Sequence, residues 1–235
     1  MLLLSIDGSN GYSSVLLTDE NLNKVSESIS DFHEKHSILI FKQLDEIMRK
    51  ADVRLNDLTG ITVILGPGSY TGIRVSLTIA KTLSYSLGIN ITGVESLLVC
   101  AYSLIKNSMG SIGVIAVKDA SKGNYYVSEY FDGIENFTSP PRISLLNKDE
   151  LKSLLKNMEN KPSIVYGFNR SIDYEKFKSE FEGINLPVPF DLKQTAYFAS
   201  AYTLESKNKP GKSPSSLIKY AEELSPYYVY GNGPF

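Results

Sequence analysis

The stretch Gly66-Pro67-Gly68-Ser69-Tyr70-Thr71-Gly72-Ile73-Arg74 constrains this chain more than any other, because of what stands on either side of it. Before it runs Ile61 to Leu65, a continuous apolar segment rich in β-branched residues, the pattern of a central strand covered on both faces. After it, Tyr70 to Leu87 repeats apolar residues at helical spacing. A buried strand that breaks sharply into a long helix is the unit of an α/β sheet, and it excludes all-β and all-helical architectures for this part of the chain.

The neighbouring segments extend that unit. Leu2 to Ile6 and Tyr12 to Leu17 read as a hairpin closed by Asp7-Gly8-Ser9-Asn10-Gly11, and a strand near Lys24 to Ile29 follows. Ser30-Asp31 is expected to cap a helix reaching Ala51, with Ile40, Phe41, Leu44, Ile47, Met48 and Ala51 on one stripe. In the Tyr70–Leu87 helix, Ile73, Leu77, Ala80 and Leu87 form one apolar face, and Val75, Ile79 and Leu83 a second. Two apolar faces call for two burial partners, its own sheet and a second chain. Ile89 to Val94 reads as a strand and Glu95 to Ile105 as a helix.

At Gly113 to Val117 and Tyr125 to Phe131 the opening pattern returns, with Asp119-Ala120-Ser121-Lys122-Gly123 in the turn, which predicts a duplicated fold. Helices are expected over Lys148 to Asn157 and Thr195 to Ser206, and a strand over Ile164 to Gly167. A linker spans Asn208 to Ser216, and the last residues, Leu224 to Phe235, read as an extended tail. The expected domains are 1–106 and 107–235, the last helix or tail packing back on the first.

Little chemistry stands out. The glycine-rich loop could present backbone amides to an anion through Gly66, Gly68, Ser69, Thr71 and Gly72. It is neither a Walker A loop, since Ile73-Arg74 replaces Lys-Ser/Thr, nor a dinucleotide fingerprint, since its third glycine comes one residue late. The competing reading is a tight turn in which Gly68 and Gly72 allow close packing and Ser69 or Thr71 caps the helix. Asp7 and Asp119, each ending a β-run, could hold a hydrated magnesium and phosphates, or simply form their turns. His33 and His36 are the chain's two histidines and lack the further ligands of a zinc site. Cys100, the one cysteine, excludes an internal disulfide and fits a reducing, cytoplasmic setting. The N-terminus has no signal-peptide pattern, and no run is long enough to span a membrane. With 24 Lys and Arg against 26 Asp and Glu, the chain has no cationic excess for a nucleic acid, so any such work needs a partner.

The loop Gly66 to Arg74 followed by Ala80-Lys81 resembles the signature of the TsaB (YeaZ) family. Ile6-Asp7, His36-Ser37, Val94-Glu95-Ser96-Leu97, Asp119-Ala120 with Gly123 and Tyr125-Tyr126, and Pro226, Tyr227 and Val229 agree in order. The resemblance implies two related α/β lobes of the actin, Hsp70 and sugar-kinase superfamily, with mixed sheets flanked by helices. It implies a non-catalytic scaffold and activator in the synthesis of N6-threonylcarbamoyladenosine beside the tRNA anticodon. The partners implied are TsaD in a heterodimer, TsaE binding the pair, TsaC acting functionally alongside, and a homodimer when alone, with tRNA reached only through the complex. No cofactor is required of this chain, though ATP and magnesium can enter the complex. The partner surface is expected at Ile40, Leu44, Ile47, Ile73, Leu77, Ile79 and Leu83. The enzyme alternative is a small-molecule kinase or ATPase of the same superfamily, using Asp7 and Asp119 around magnesium.

Overall fold

Alternation of apolar and small polar residues along the opening strand sets up two different faces, and both are covered. A computed structural model describes residues 1–31, 36–106, 113–130, 142–157, 163–184 and 187–208. Contacts divide the chain into two units, one holding Met1–Ser96 and the described residues from Lys193 on, the other Leu97–Leu192.

In the first unit, β1 (Leu2–Asp7), β2 (Tyr12–Asp19), β3 (Lys24–Asp31), β4 (Gly60–Ile64) and β5 (Asn90–Val94) form one sheet in the order β3-β2-β1-β4-β5. β1 pairs antiparallel with β2 and parallel with β4, placing Leu4 beside Ile61 and Ile6 beside Val63. Parallel neighbours need long crossovers, supplied by α1 (His36–Ala51) and α2 (Tyr70–Leu87). Leu4, Ile6, Ile61 and Val63 share a buried cluster with Ile40, Leu44, Ile47 and Met48 of α1 and Leu77, Ile79 and Ala80 of α2. Each such side chain contributes about 1.5–3 kcal/mol when fully buried. The opposite face carries Ser5 and Thr62, which meet Ser200 at 2.6 Å and Thr203 at 3.0 Å on α6 (Thr195–Asn208). Small residues at Ala196, Ala199 and Ser200, all buried, let this helix lie close on the sheet.

Two expectations change here. Strand β3 continues through Asp31, and α1 opens at His36, so Ser30-Asp31 belongs to the sheet and does not cap the helix. The second apolar face of α2 needs no second chain. Ile79 is buried in the same cluster as α1, and Val75, Leu83 and Leu87 pack against it from the rim. His33, the 208–216 linker beyond Asn208 and the 224–235 tail lie outside the described residues.

The second unit repeats the topology. β6 (Val114–Asp119), β7 (Asn124–Tyr130), β8 (Ile143–Asn147), β9 (Ser163–Phe168) and β10 (Val188–Asp191) lie in the order β10-β9-β6-β7-β8. β6 pairs antiparallel with β7 and parallel with β9, matching β1, β2 and β4 one for one. Helix α4 (Lys148–Asn157) precedes β9 and α5 (Ser171–Glu180) follows it, as α1 and α2 flank β4. The duplication expected from the two similar openings is present. Helix α3 (Ser96–Lys106) has a fully buried run from Leu97 to Ala101, Cys100 included. No described helix is long and apolar enough to cross a membrane.

Candidate functional site

Asp7 and the glycine-rich loop come together at the junction where β1 and β4 end and α2 begins. Gly66 takes a φ of +105°, a value that glycine reaches without strain, and turns the chain out of β4. Ser69 is the N-cap of α2, its hydroxyl accepting the Gly72 amide at 3.3 Å. Changing Ser69 to Ala therefore leaves that amide without its cap, and thermal unfolding should show a loss of about 1 kcal/mol.

The first hairpin turn is pressed into this helix start. The Ser69 amide donates to the Ser9 carbonyl at 2.8 Å. A Cβ placed on Gly72 falls 1.9 Å from the Gly8 carbonyl oxygen, and one on Gly8 falls 2.5 Å from Ser76 Oγ. From the far side, the Ser96 amide donates to the Gly66 carbonyl at 2.8 Å and the Ser96 hydroxyl to the Pro67 carbonyl at 3.1 Å. Gly72 serves close packing and Ser69 serves capping, as the tight-turn reading has it.

Asp7 is wholly buried and turned on its own loop. Its Oδ1 accepts the Ser9 amide and hydroxyl, each at 2.7 Å, and its Oδ2 accepts the Asn10 side-chain amide at 2.8 Å. Asp119 stands in the other unit, exposed, with Oδ1 accepting the Ser121 amide at 2.8 Å. Both carboxylates act as turn formers. Among the described residues no three His, Cys, Asp or Glu side chains gather as a metal site would require. The loop also offers a phosphate no open cradle, because the Gly8 and Ser9 carbonyls already face the start of α2.

Of the seven residues expected at a partner surface, six are buried: Ile40, Leu44, Ile47, Leu77 and Ile79 in the first unit's core cluster, and Ile73, while Leu83 is half-buried. The stripe that looks like an interface in sequence is the face α1 and α2 turn toward their own sheet, because burying it there removes it from water without any partner. What the two helices leave outside is a different set. Ile38 and Phe41 on α1 are 49% and 57% exposed, and Tyr70 and Tyr85 on α2 are 48% and 85% exposed. Arg74 lies over the Tyr70 ring, 5.2 Å from its centre. Tyr70, Arg74, Thr78 and Tyr85 fall on one side of α2 at helical spacing, and α1 packs alongside.

Glu95, quoted in the sequence only as part of a motif, has an unusual setting. It sits between β5 and α3, 4% exposed, with Oε2 lacking a hydrogen-bond partner among the described residues. Burial pushes its carboxyl up to about 8, so it is largely protonated at neutral pH. A lone acid directly after the strand Asn90–Val94 is the signal that could have marked it.

The family described as TsaD: tRNA N6-adenosine threonylcarbamoyltransferase matches residues 25–162 of this chain. The chain is 31% identical over 175 residues to the tRNA threonylcarbamoyladenosine biosynthesis protein TsaB of Bacillus subtilis (strain 168), covering 73% of each. In three dimensions it is similar to YeaZ from Pseudomonas aeruginosa, with a TM-score of 0.65 and 18% identity over 97% of this chain and 99% of that one. It is also similar to the ethanolamine utilization protein EutJ from Carboxydothermus hydrogenoformans, with a TM-score of 0.56 and 9% identity over 85% of this chain and 88% of that one. These two likenesses establish the fold: two mixed sheets flanked by helices.

Proposed function

The chain belongs to the TsaB (YeaZ) family, and from that membership we propose that it takes part in tRNA threonylcarbamoyladenosine biosynthesis as the scaffold and activator that seats TsaD. The observation that carries the surface is the exposure of Ile38, Phe41, Tyr70 and Tyr85 on two adjacent helices whose inner faces are already buried. Large aromatic side chains left in water on rigid elements are what a hydrophobic interface uses as anchors. TsaD, a relative matched by the same family pattern, covers them in the heterodimer. A second copy of this chain covers them when TsaD is absent, across a two-fold axis. TsaE then recognises the pair, and TsaC acts functionally alongside it.

This chain stabilises the active shape of TsaD by binding that shape better than others, the one way a partner can shift a conformational equilibrium. Its own net charge of −2 leaves the tRNA phosphates to the partner. The Gly8 and Ser9 carbonyls turned toward the start of α2 support a reading in which this chain needs no ATP or magnesium of its own.

The test is substitution of Phe41 and Tyr85 with Asp, followed by co-purification with TsaD and a tRNA modification assay. Each aromatic anchor lost costs about 2 kcal/mol, so affinity should fall by tenfold or more per site, with the unfolding midpoint of the isolated chain unchanged. Undiminished capture of TsaD by the doubly substituted chain means the surface lies elsewhere. Tight binding of ATP and magnesium by the isolated chain, read by calorimetry, would instead support the kinase or ATPase alternative.

A further inference from the structure

The two units differ at one equivalent place. In the first, the hairpin turn is pressed onto the start of the following helix, Gly8 against Gly72. In the second, the corresponding space between the β6–β7 turn and α5 is open, a cavity of about 220 Å³. That is room for several waters or one small organic molecule.

Its lining has a definite character. Tyr125, Tyr166 and Phe177 form apolar walls, with Tyr166 stacked on Phe177 at 4.0 Å and Tyr125 edge-on to Phe177 at 5.6 Å. Tyr166 is 3% exposed, yet its hydroxyl makes no hydrogen bond among the described residues. Burial holds this phenol above its ordinary range, so it stays protonated and able to donate. A buried donor lining a cavity and left unused is a group waiting for an acceptor.

The charges narrow the choice. Glu180 accepts the Tyr125 hydroxyl at 3.1 Å and lies 3.5 Å from Lys148, while Asp173 is taken by Arg170 at 2.8 Å. Asp119 spends one oxygen on its own turn. Lys122 and Lys176 line the same cavity, and their ammonium groups form no hydrogen bond or ion pair among the described residues. Ser121 and Lys122 are both held at positive φ, +69° and +53°, a conformation that non-glycine residues adopt at a cost and that the tight turn imposes on them. Two uncommitted ammonium groups against one half-free carboxylate leave a single positive charge to satisfy. A dianion would face repulsion from Asp119, Asp173 and Glu180, all in the lining.

We propose that this cavity binds a small monocarboxylate with an apolar body, its carboxylate held by Lys122, Lys176 and the Tyr166 hydroxyl and its body against Tyr125 and Phe177. The site lies in the second unit and stands independently of the partner surface on α1 and α2.

The experiment is titration of the full-length, isotopically labelled protein with benzoate, followed by amide NMR, with acetate and inorganic phosphate as comparisons. Benzoate should give saturable shifts concentrated at 122–125 and 173–177, acetate weaker ones, and phosphate none that saturate there. Changing Lys122 and Lys176 together to Gln should weaken benzoate by about tenfold. Tyr166→Phe, which keeps the stacked ring, should weaken it several-fold while leaving the rest of the spectrum in place. Saturation by phosphate in preference to benzoate, shifts scattered over the surface, or undiminished binding by the lysine variant each overturns the proposal.

Discussion

Replacing Gly72 with Ala should destabilise the protein by about 3 kcal/mol or more and lower its unfolding midpoint by about 10 °C. The added methyl lands 1.9 Å from the Gly8 carbonyl oxygen and 2.9 Å from its carbon, and both are backbone atoms that no rotamer change can move aside. Relief requires the first hairpin turn to leave the start of α2, which breaks the 2.8 Å bond from the Ser69 amide to Ser9 and disturbs the turn that Asp7 organises. Gly88→Ala is the control. That residue ends α2 at a φ of +63° with nothing within 4 Å of an added Cβ, so only the left-handed backbone resists it, at about 1 kcal/mol. Thermal unfolding of both variants checks the contrast, and equal losses would mean that Gly8 and Gly72 do not press together.

Glu95→Gln should stabilise the protein strongly at pH 8 and hardly at all at pH 5. The wild-type carboxyl, raised by burial to about 8 from an ordinary 4.5, keeps its proton in the folded state where the unfolded chain has lost it. The folded state therefore binds the extra proton between these two values. Stability falls as pH rises through that window and levels off above the folded value. Integrated over the window, the ionisable group costs on the order of 3–5 kcal/mol, and the neutral amide carries no such term. Urea unfolding of both proteins at pH 5 and pH 8 reads the difference directly. A constant gap between them would show that Glu95 is not held protonated. The acids Asp19, Glu20 and Glu46 are held below their ordinary values by hydrogen bonds, first to Asn23, to the N-terminal amine and to Lys50 respectively. Their titration lies below this window and is common to both proteins.

Much of the fold was legible because its signals are local. Tyr70–Leu87 and Lys148–Asn157 are helices over the spans their periodicity predicts. The continuous apolar run ending at Leu65 does mark a strand covered on both faces, by α1 and α2 on one side and α6 on the other. Three elements gave no such signal. Helix α5 buries fully only Phe177, so its sequence shows almost no apolar stripe. The strands β8 and β10 are short sheet edges, and β10 carries Pro189, a residue that argues against a strand unless it lies at an edge.

The candidate site divides in the same way. The glycine-rich loop and its capping serine could be named from the sequence, since both follow from backbone chemistry within a few residues. The direction in which α1 and α2 turn their apolar stripes could not. Ile40, Leu44, Leu77 and Ile79 have the spacing of an interface, but the same spacing serves a core, and periodicity carries no sign that says which side of the helix the sheet will occupy.

By itself the sequence determined the helices and strands whose apolar pattern is local, where the chain must turn, and that one α/β motif occurs twice. The tertiary structure alone decided that Gly8 closes against Gly72 in one repeat while the equivalent space stays open in the other, and that the Glu95 carboxyl is buried with Oε2 unpaired among the described residues. The physical reason is range. Propensity and periodicity act over a handful of neighbours, whereas steric closure and desolvation depend on atoms that come together from distant parts of the chain.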